Sequence, residues 1–308
     1  MKNICFALGL LLSFTGFSQQ LKNSQAASST PKSKSYDKEP KASVPLIFSW
    51  NNTEIGFSSG AIGYWGDLQN KLITMSQAGV CGGLMLRNPL HANVAVRFSA
   101  NYGTIQAKDS KSNDPERIKR NLSFRSRLVE YGLSGEFLLP ITHKVMGSDG
   151  ITPSKIAYPI MPYFVVGMHL FHFNPQAEYK GTWYDLKPLN TEGQNLNRPQ
   201  AKNYSLTQIS IPLGFGLKYK LTSRANLAVE FSGRKTLTDS LDDVSTSYPD
   251  LAAQKFSNGD IGYKLSWRGN EINGQENKVI PEGTRRGNSD NNDWYVLSTV
   301  SFRVKLAK

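Results

Sequence analysis

Eight ionisable residues stand where an extended chain would alternate them with apolar neighbours: Glu54, Arg97, Glu130, Glu136, Lys218, Glu230, Arg234 and Arg303. On the inward face of a narrow barrel such charges must pair, because an isolated buried charge is costly. The chemistry they suggest is a paired network plugging a lumen. The sharper alternative is an ion path, for which eight strands leave little room. Other candidates are sparse. His169 and His172 are three apart, which places them on opposite faces of a strand and excludes a shared metal. A Ser-His-acid hydrolase site would need a strand-borne histidine beside a serine and an acid. His172 is the tempting position, but its neighbours Phe171, Phe173 and Asn174 supply no partner. Asp239, Asp242 and Asp243 could hold Ca²⁺, yet their spacing fits no defined loop. No catalytic residue, cofactor or metal is expected.

The elements that would position these residues follow a period of two. Ile209, Ile211, Leu213, Phe215, Leu217, Tyr219 and Leu221 alternate with Ser210, Pro212, Gly214, Gly216, Lys218 and Lys220. Such alternation does not fit a helix, and at about 3.3 Å per residue it crosses a bilayer when tilted. Similar patterns run through 94–103, 129–139, 227–234 and 294–306, with weaker ones at 54–64, 78–87 and 160–173. The segment 160–173 is apolar on both faces. Pro212 predicts a bulge or kink.

The pattern predicts an all-β, transmembrane, antiparallel up-and-down barrel of eight strands. Val96, Phe98, Ile211, Phe215, Val300 and Phe302 are expected to face lipid. The links fall at about 67–77, 88–92, 108–121, 140–158, 174–204, 222–226 and 237–293. Short periplasmic turns and longer outer loops put both termini in the periplasm. Link 140–158 is the exception, being long for a periplasmic turn. Tyr64, Trp65, Tyr179, Trp183, Tyr184, Trp294 and Tyr295 lie near strand ends, and some should form an aromatic girdle. The alternative is a soluble sandwich or lipocalin-like barrel, with the apolar faces turned into a core.

Composition agrees with a barrel. The chain has 308 residues, a formal charge of +12, 26 glycines, 13 tyrosines and 15 phenylalanines, with only 39% hydrophobic residues. Lys2 followed by the uncharged run Ile4 to Phe17 predicts a signal peptide over 1–18. Its removal leaves Cys81 as the sole cysteine, so no disulfide is possible. Residues 19–45 are rich in Ser, Lys and Pro and read as a flexible, basic periplasmic tail. The barrel occupies 46–308. Arg117, Lys119, Arg120, Arg125 and Arg127 form a basic run. Export makes nucleic acid implausible, and lipopolysaccharide phosphates in the outer membrane are the expected contact.

Several segments together resemble the PorG family of outer-membrane barrels in the type IX secretion system: GYWGDL (63–68), RNLSFRS (120–126), PYFVVGMHLFHFNPQAEYKGTWYDLKPLNTEGQ (162–194), YSLTQISIPLGFGLKY (204–219) and RKTLTDSLDDVSTSYPD (234–250). The resemblance covers about 53–306. It implies a non-catalytic membrane anchor working beside the machine's periplasmic ring, which a lipoprotein and its partner form. It carries over no catalytic residues. The other functions open to such a barrel are a small pore or a lipid-modifying enzyme.

Overall fold

The computed structural model describes residues 50–69, 75–146, 153–272 and 279–306, so the signal peptide expected at 1–18 and the tail at 19–45 lie outside the described residues. Eight strands form the wall: β1 (Glu54–Trp65), β2 (Gly79–His91), β3 (Val94–Lys108), β4 (Ser123–Leu138), β7 (Ile160–Tyr179), β9 (Thr207–Lys220), β10 (Ala225–Thr236) and β11 (Trp294–Lys305). Each pairs antiparallel with its neighbour. β4 pairs with β7, and β1 with β11 from Glu54↔Lys305 to Trp65↔Trp294, so the sheet closes on itself. Closure leaves the wall no free edge, which a strand structure in lipid requires. A short hairpin, β5 (Thr142–Met146) with β6 (Pro153–Ala157), occupies the link between β4 and β7. A further strand, β8 (Thr182–Asp185), folds back on the end of β7. Helices α1 (Pro115–Arg120) and α2 (Leu251–Ser266) lie in the third and seventh links.

The alternation sorts the side chains by face. Phe57, Leu84, Phe215 and Val300 are each about half exposed or more on the outside, at 59%, 65%, 57% and 49%. Phe98 is exposed on the same face, and Val96, Ile211 and Phe302 are half-buried there. A water-soluble barrel would turn this apolar face inward. Here it forms a continuous outer belt around a charged interior, the arrangement of a membrane-spanning barrel. The soluble alternative is therefore excluded.

The wall departs from the sequence reading at several points. Pro212 makes no bulge: it keeps its place opposite Arg234, and the β7–β9 ladder is interrupted at Gly167 and Met168 with the register unchanged on either side. A proline has no N–H to give to the ladder, and skipping two pairs accommodates it. The register shift occurs instead in β2, between Pro89 and His91. β4 begins at Ser123 and β7 runs on to Tyr179, so both rise beyond the segments read from alternation. Tyr64 and Tyr295 do not join a girdle; they point inward and are fully buried. Trp65 and Trp294, directly opposed across β1 and β11 with rings 5.8 Å apart, take the outward positions.

The interior has two storeys. Near the chain ends it is charged. Toward the long links it becomes apolar: Ile62, Ile105, Phe124, Leu128, Phe171, Phe173 and Leu297 from the wall pack with Leu68, Leu186, Leu241, Val244 and Leu265 from the links. The inward face of 160–173 is apolar for two reasons: Phe171 and Phe173 join this shared core, while Met161, Tyr163 and Val165 pack in a separate cluster with Leu138 and Ala228.

An arginine at outward Phe215 or Val300 should cost roughly 2–4 kcal/mol near the membrane midplane. At Gly216 the failure is different, because even a Cβ there would meet the Tyr163 ring at 2.4 Å. Gly216→Ala should therefore destabilise by crowding alone, while Phe215→Ala should be mild. Urea titration of the folded, heat-modifiable band would measure this, and an equal response at 215 and 216 would remove the inside–outside assignment.

Candidate functional site: the charged lumen and the loop cap

All eight charges singled out in the sequence lie in the lumen, each 7% exposed or less. Glu136 on β4 is the main node. It binds Arg87 from β2 through a short contact, Arg97 from β3 at 3.0 Å and Arg303 from β11 at 3.1 Å. Arg97 also reaches Glu230 on β10 at 2.7 and 3.1 Å, and Tyr163 on β7 donates to Glu230 at 3.0 Å. Arg87 meets Glu54 on β1 at 3.2 Å, and Lys218 on β9 approaches Glu54 at 3.8 Å. Every wall strand thus contributes a member. Glu130 forms a second node, bound by Arg234 at 3.1 Å, Asn101 at 2.7 Å and the Tyr295 hydroxyl at 2.5 Å.

Arg87, Tyr163 and Asn101 were not singled out from the sequence, and Tyr295 was read there as a girdle residue. Arg87 ends a weakly alternating stretch beside Pro89, but the register places it directly across from Glu54. That cross-strand position was its only signal.

The histidines are a second correction. His172 faces outward and bonds the Thr207 hydroxyl at 3.0 Å, with no acid paired to it among the described residues. His169 is the one that finds a serine and an acid, with Nε2 3.0 Å from Ser134 Oγ and Nδ1 3.4 Å from Glu130. Gly132 makes room for it, since a Cβ there would strike the imidazole at 2.4 Å. The order Ser-His-Glu is that of a hydrolase, but its setting is not. Ser134, His169 and Glu130 are at most 2% exposed, and Glu130 already serves Arg234, Asn101 and Tyr295. A nucleophile needs an approaching carbonyl and donors for its oxyanion, and this serine is enclosed by packed side chains.

The cap is held by its own polar contacts. Arg120 of α1 clamps Asp109 with two bonds of 2.7 and 2.8 Å and donates to the Asp67 carbonyl at 3.1 Å, tying the third link to the first. Arg286 of the seventh link pairs with Glu192 of the fifth at 3.0 Å. Asp242 and Asp293 share the Tyr64 hydroxyl, and Asp243 accepts from Tyr204 at 2.7 Å and from Thr191. Asp242 and Asp243 therefore face different partners rather than one centre. Among the described residues no cluster of acids, histidines and cysteines is arranged to hold a metal. The basic run is likewise divided: Arg125 lies outside, 3.4 Å from the Trp183 ring centroid, Arg127 is exposed on the same wall, and Arg120 is mostly buried in the cap.

Burial sets the acid–base state of the cap. It pushes Asp239 up to about 9, with the nearby Asp242 and Asp67 carboxyls adding to the effect. Asp242 is raised by burial and by Asp67, and Asp243 rises to about 6 through burial, against the pull of Arg286.

A family description covers most of this structure, matching residues 46–265. The chain belongs to the DUF6089 family. That family is described as a domain of unknown function. No curated protein matches the chain. Among solved structures, this DUF6089 chain is similar to Neisserial surface protein A, with 10% identity over 83% of this chain and 97% of that one, at a TM-score of 0.38. It is also similar to a major outer membrane protein from Thermus thermophilus (12% identity, 82% and 98% covered, TM-score 0.34) and to the N-terminal β-barrel domain of Pseudomonas aeruginosa OprF (11%, 82% and 98%, 0.30). These scores carry no argument about function, and the fold stands on the closed strand register above.

Two outcomes follow. Glu136→Gln leaves three buried guanidinium groups short of charge and should cost about 3–5 kcal/mol, read as a lower transition temperature of the folded band. A near-neutral result would mean the network does not hold the barrel. In the cap, the raised carboxyls bind protons more tightly folded than unfolded, so their contribution is full below the ordinary value of 3.8 and fades as pH rises through the folded values. Proteolysis of the long links should be slower near about pH 5 than near about pH 9, a difference that Asp242→Asn should reduce.

Proposed function

We propose that this protein is a non-catalytic outer-membrane anchor that joins a protein secretion machine of the type IX kind and contacts its periplasmic ring. The observation that carries the reading is the filled lumen. A barrel whose interior is occupied by mutually bonded charges from seven strands, joined by Tyr163 from β7, offers neither a path nor a reaction chamber, which leaves its two ends as working surfaces. The five segments resembling PorG support the choice of machine.

The end that carries β1's start and β11's finish also carries the β5–β6 hairpin, since Glu54 pairs with Lys305 and the hairpin leaves from Leu138 at the foot of β4. In this reading that end is periplasmic. β5 and β6 pair with each other and, among the described residues, with no other strand. Their outer edges present free backbone donors and acceptors, a template for an added strand. The long link thus contains a two-stranded ribbon suited to a protein contact.

The test is co-purification from detergent-solubilised membranes. Replacing residues 143–156 with a tight turn should release the ring proteins while the barrel still shows heat-modifiable migration. Loss of partners only when the 237–293 link is trimmed would place the contact on the opposite face and refute this assignment.

A further inference from the structure

The cap contains a cavity of about 670 Å³ between α1, the end of α2 and the segment 279–287. Its size falls in the usual range for a small-molecule site. Three of its lining groups are donors with no hydrogen-bond acceptor among the described residues: the Tyr248 hydroxyl, Trp267 Nε1 and Arg117 Nη1. Tyr248 is 1% exposed and Trp267 7%. A buried donor left unpaired is destabilising, and three around one cavity call for an acceptor that enters it.

The surrounding charges specify its sign. Arg120 and Arg286 also line the cavity, but both are satisfied by acids that do not, Asp109 and Glu192. Arg285 lines it too and spends its Nε on the Gly287 carbonyl. Three acids share the lining. Asp114 and Glu116 each sit on a basic neighbour, at 3.7 Å from Arg117 and 2.8 Å from Lys119, and burial raises Asp67 toward its neutral form. The cavity therefore presents donors and positive charge with little opposing anion. Burial also pushes Tyr248 up to about 12, so its hydroxyl keeps its proton.

Tyr248 and Trp267 are fixed in place. Their rings meet edge to face at 5.4 Å, and Tyr248 bonds through its backbone to Thr284 and Gly283. Gly269 lies so close under the Trp267 ring that a Cβ would meet it at 2.2 Å. Such preorganised donors bind an oxyanion without first having to be ordered.

We infer that this cavity binds a phosphate group carried on a sugar-sized body, with Arg117, Tyr248 and Trp267 donating to the phosphate oxygens. An oxyanion with several acceptors suits three unpaired donors in the lining of one cavity, and a guanidinium is the side chain best matched to phosphate. The volume leaves room for more than the bare anion. Such a group could come from a free sugar phosphate or from the phosphorylated headgroup of surrounding lipopolysaccharide.

The test uses the full chain folded in detergent micelles, titrated by calorimetry with glucose 6-phosphate, glucose, inorganic phosphate and lipid A dispersed in the same detergent. Saturable binding of glucose 6-phosphate or lipid A, but not glucose, is expected. Binding of the soluble probe alone identifies a free sugar phosphate as the source, and binding of lipid A alone identifies the headgroup; either supports the site. Arg117→Gln and Tyr248→Phe should each weaken binding about tenfold or more. Tyr248→Phe also serves as the control for folding. It removes an unpaired hydroxyl, so the unliganded cap should melt no lower than the parent. Absence of binding by every phosphorylated probe, or binding that neither variant changes, would overturn the proposal.

Discussion

Register is the constraint on which the rest of this barrel depends. In a sheet of period two, sliding one strand by one residue exchanges its faces. For β4 that would place Glu130 and Glu136 in lipid and Tyr131 and Phe137 among the lumen arginines. The lumen contacts fix the correct choice eight times over, because each wall strand carries at least one member of the network. A buried ion pair is often no more stabilising than an apolar substitute, while removing one partner is expensive. The network is thus better understood as specifying one pairing of the strands than as the main source of stability.

The same constraint shapes the upper storey. Where the wall rises past the membrane belt, the inward positions change from charged to apolar, and the long links fold down on them. Phe171 and Phe173 on β7 sit in one core with Leu241, Val244 and Leu265 from the seventh link. Above that core the polar contacts bind link to link: Arg120 to the Asp67 carbonyl, and Arg286 to Glu192. The cap is therefore a small folded layer, and Tyr248 and Trp267 carry two of its buried polar atoms that lack a hydrogen-bond partner among the described residues.

How much of this was legible in the sequence depended on whether the information was local. Alternation is local, and it located all eight wall strands and the inward position of Glu136 or Arg303. Pairing is not local. Nothing near Arg87 in the chain indicates that it meets Glu136, 49 residues away, and Tyr295, which reaches Glu130, looked like a girdle residue because aromatics at strand ends usually serve there. His169 was separated from Ser134 by 35 residues, so its contact depended on the β4–β7 register. Helix α2 was hidden for another reason: its sequence, LAAQKFSNGDIGYKLS, carries little amphipathic pattern and is broken at Gly259, where φ is 73°.

The central claim is that the charged side chains fill the lumen and leave no aqueous path. Single-channel recording in planar bilayers tests it most directly. The intact chain, inserted in its folded form, should give no discrete conductance steps across the voltage range the bilayer tolerates. Reproducible unitary steps, abolished when the protein is unfolded by heating before addition, would contradict the account and return the lumen charges to the lining of a pore.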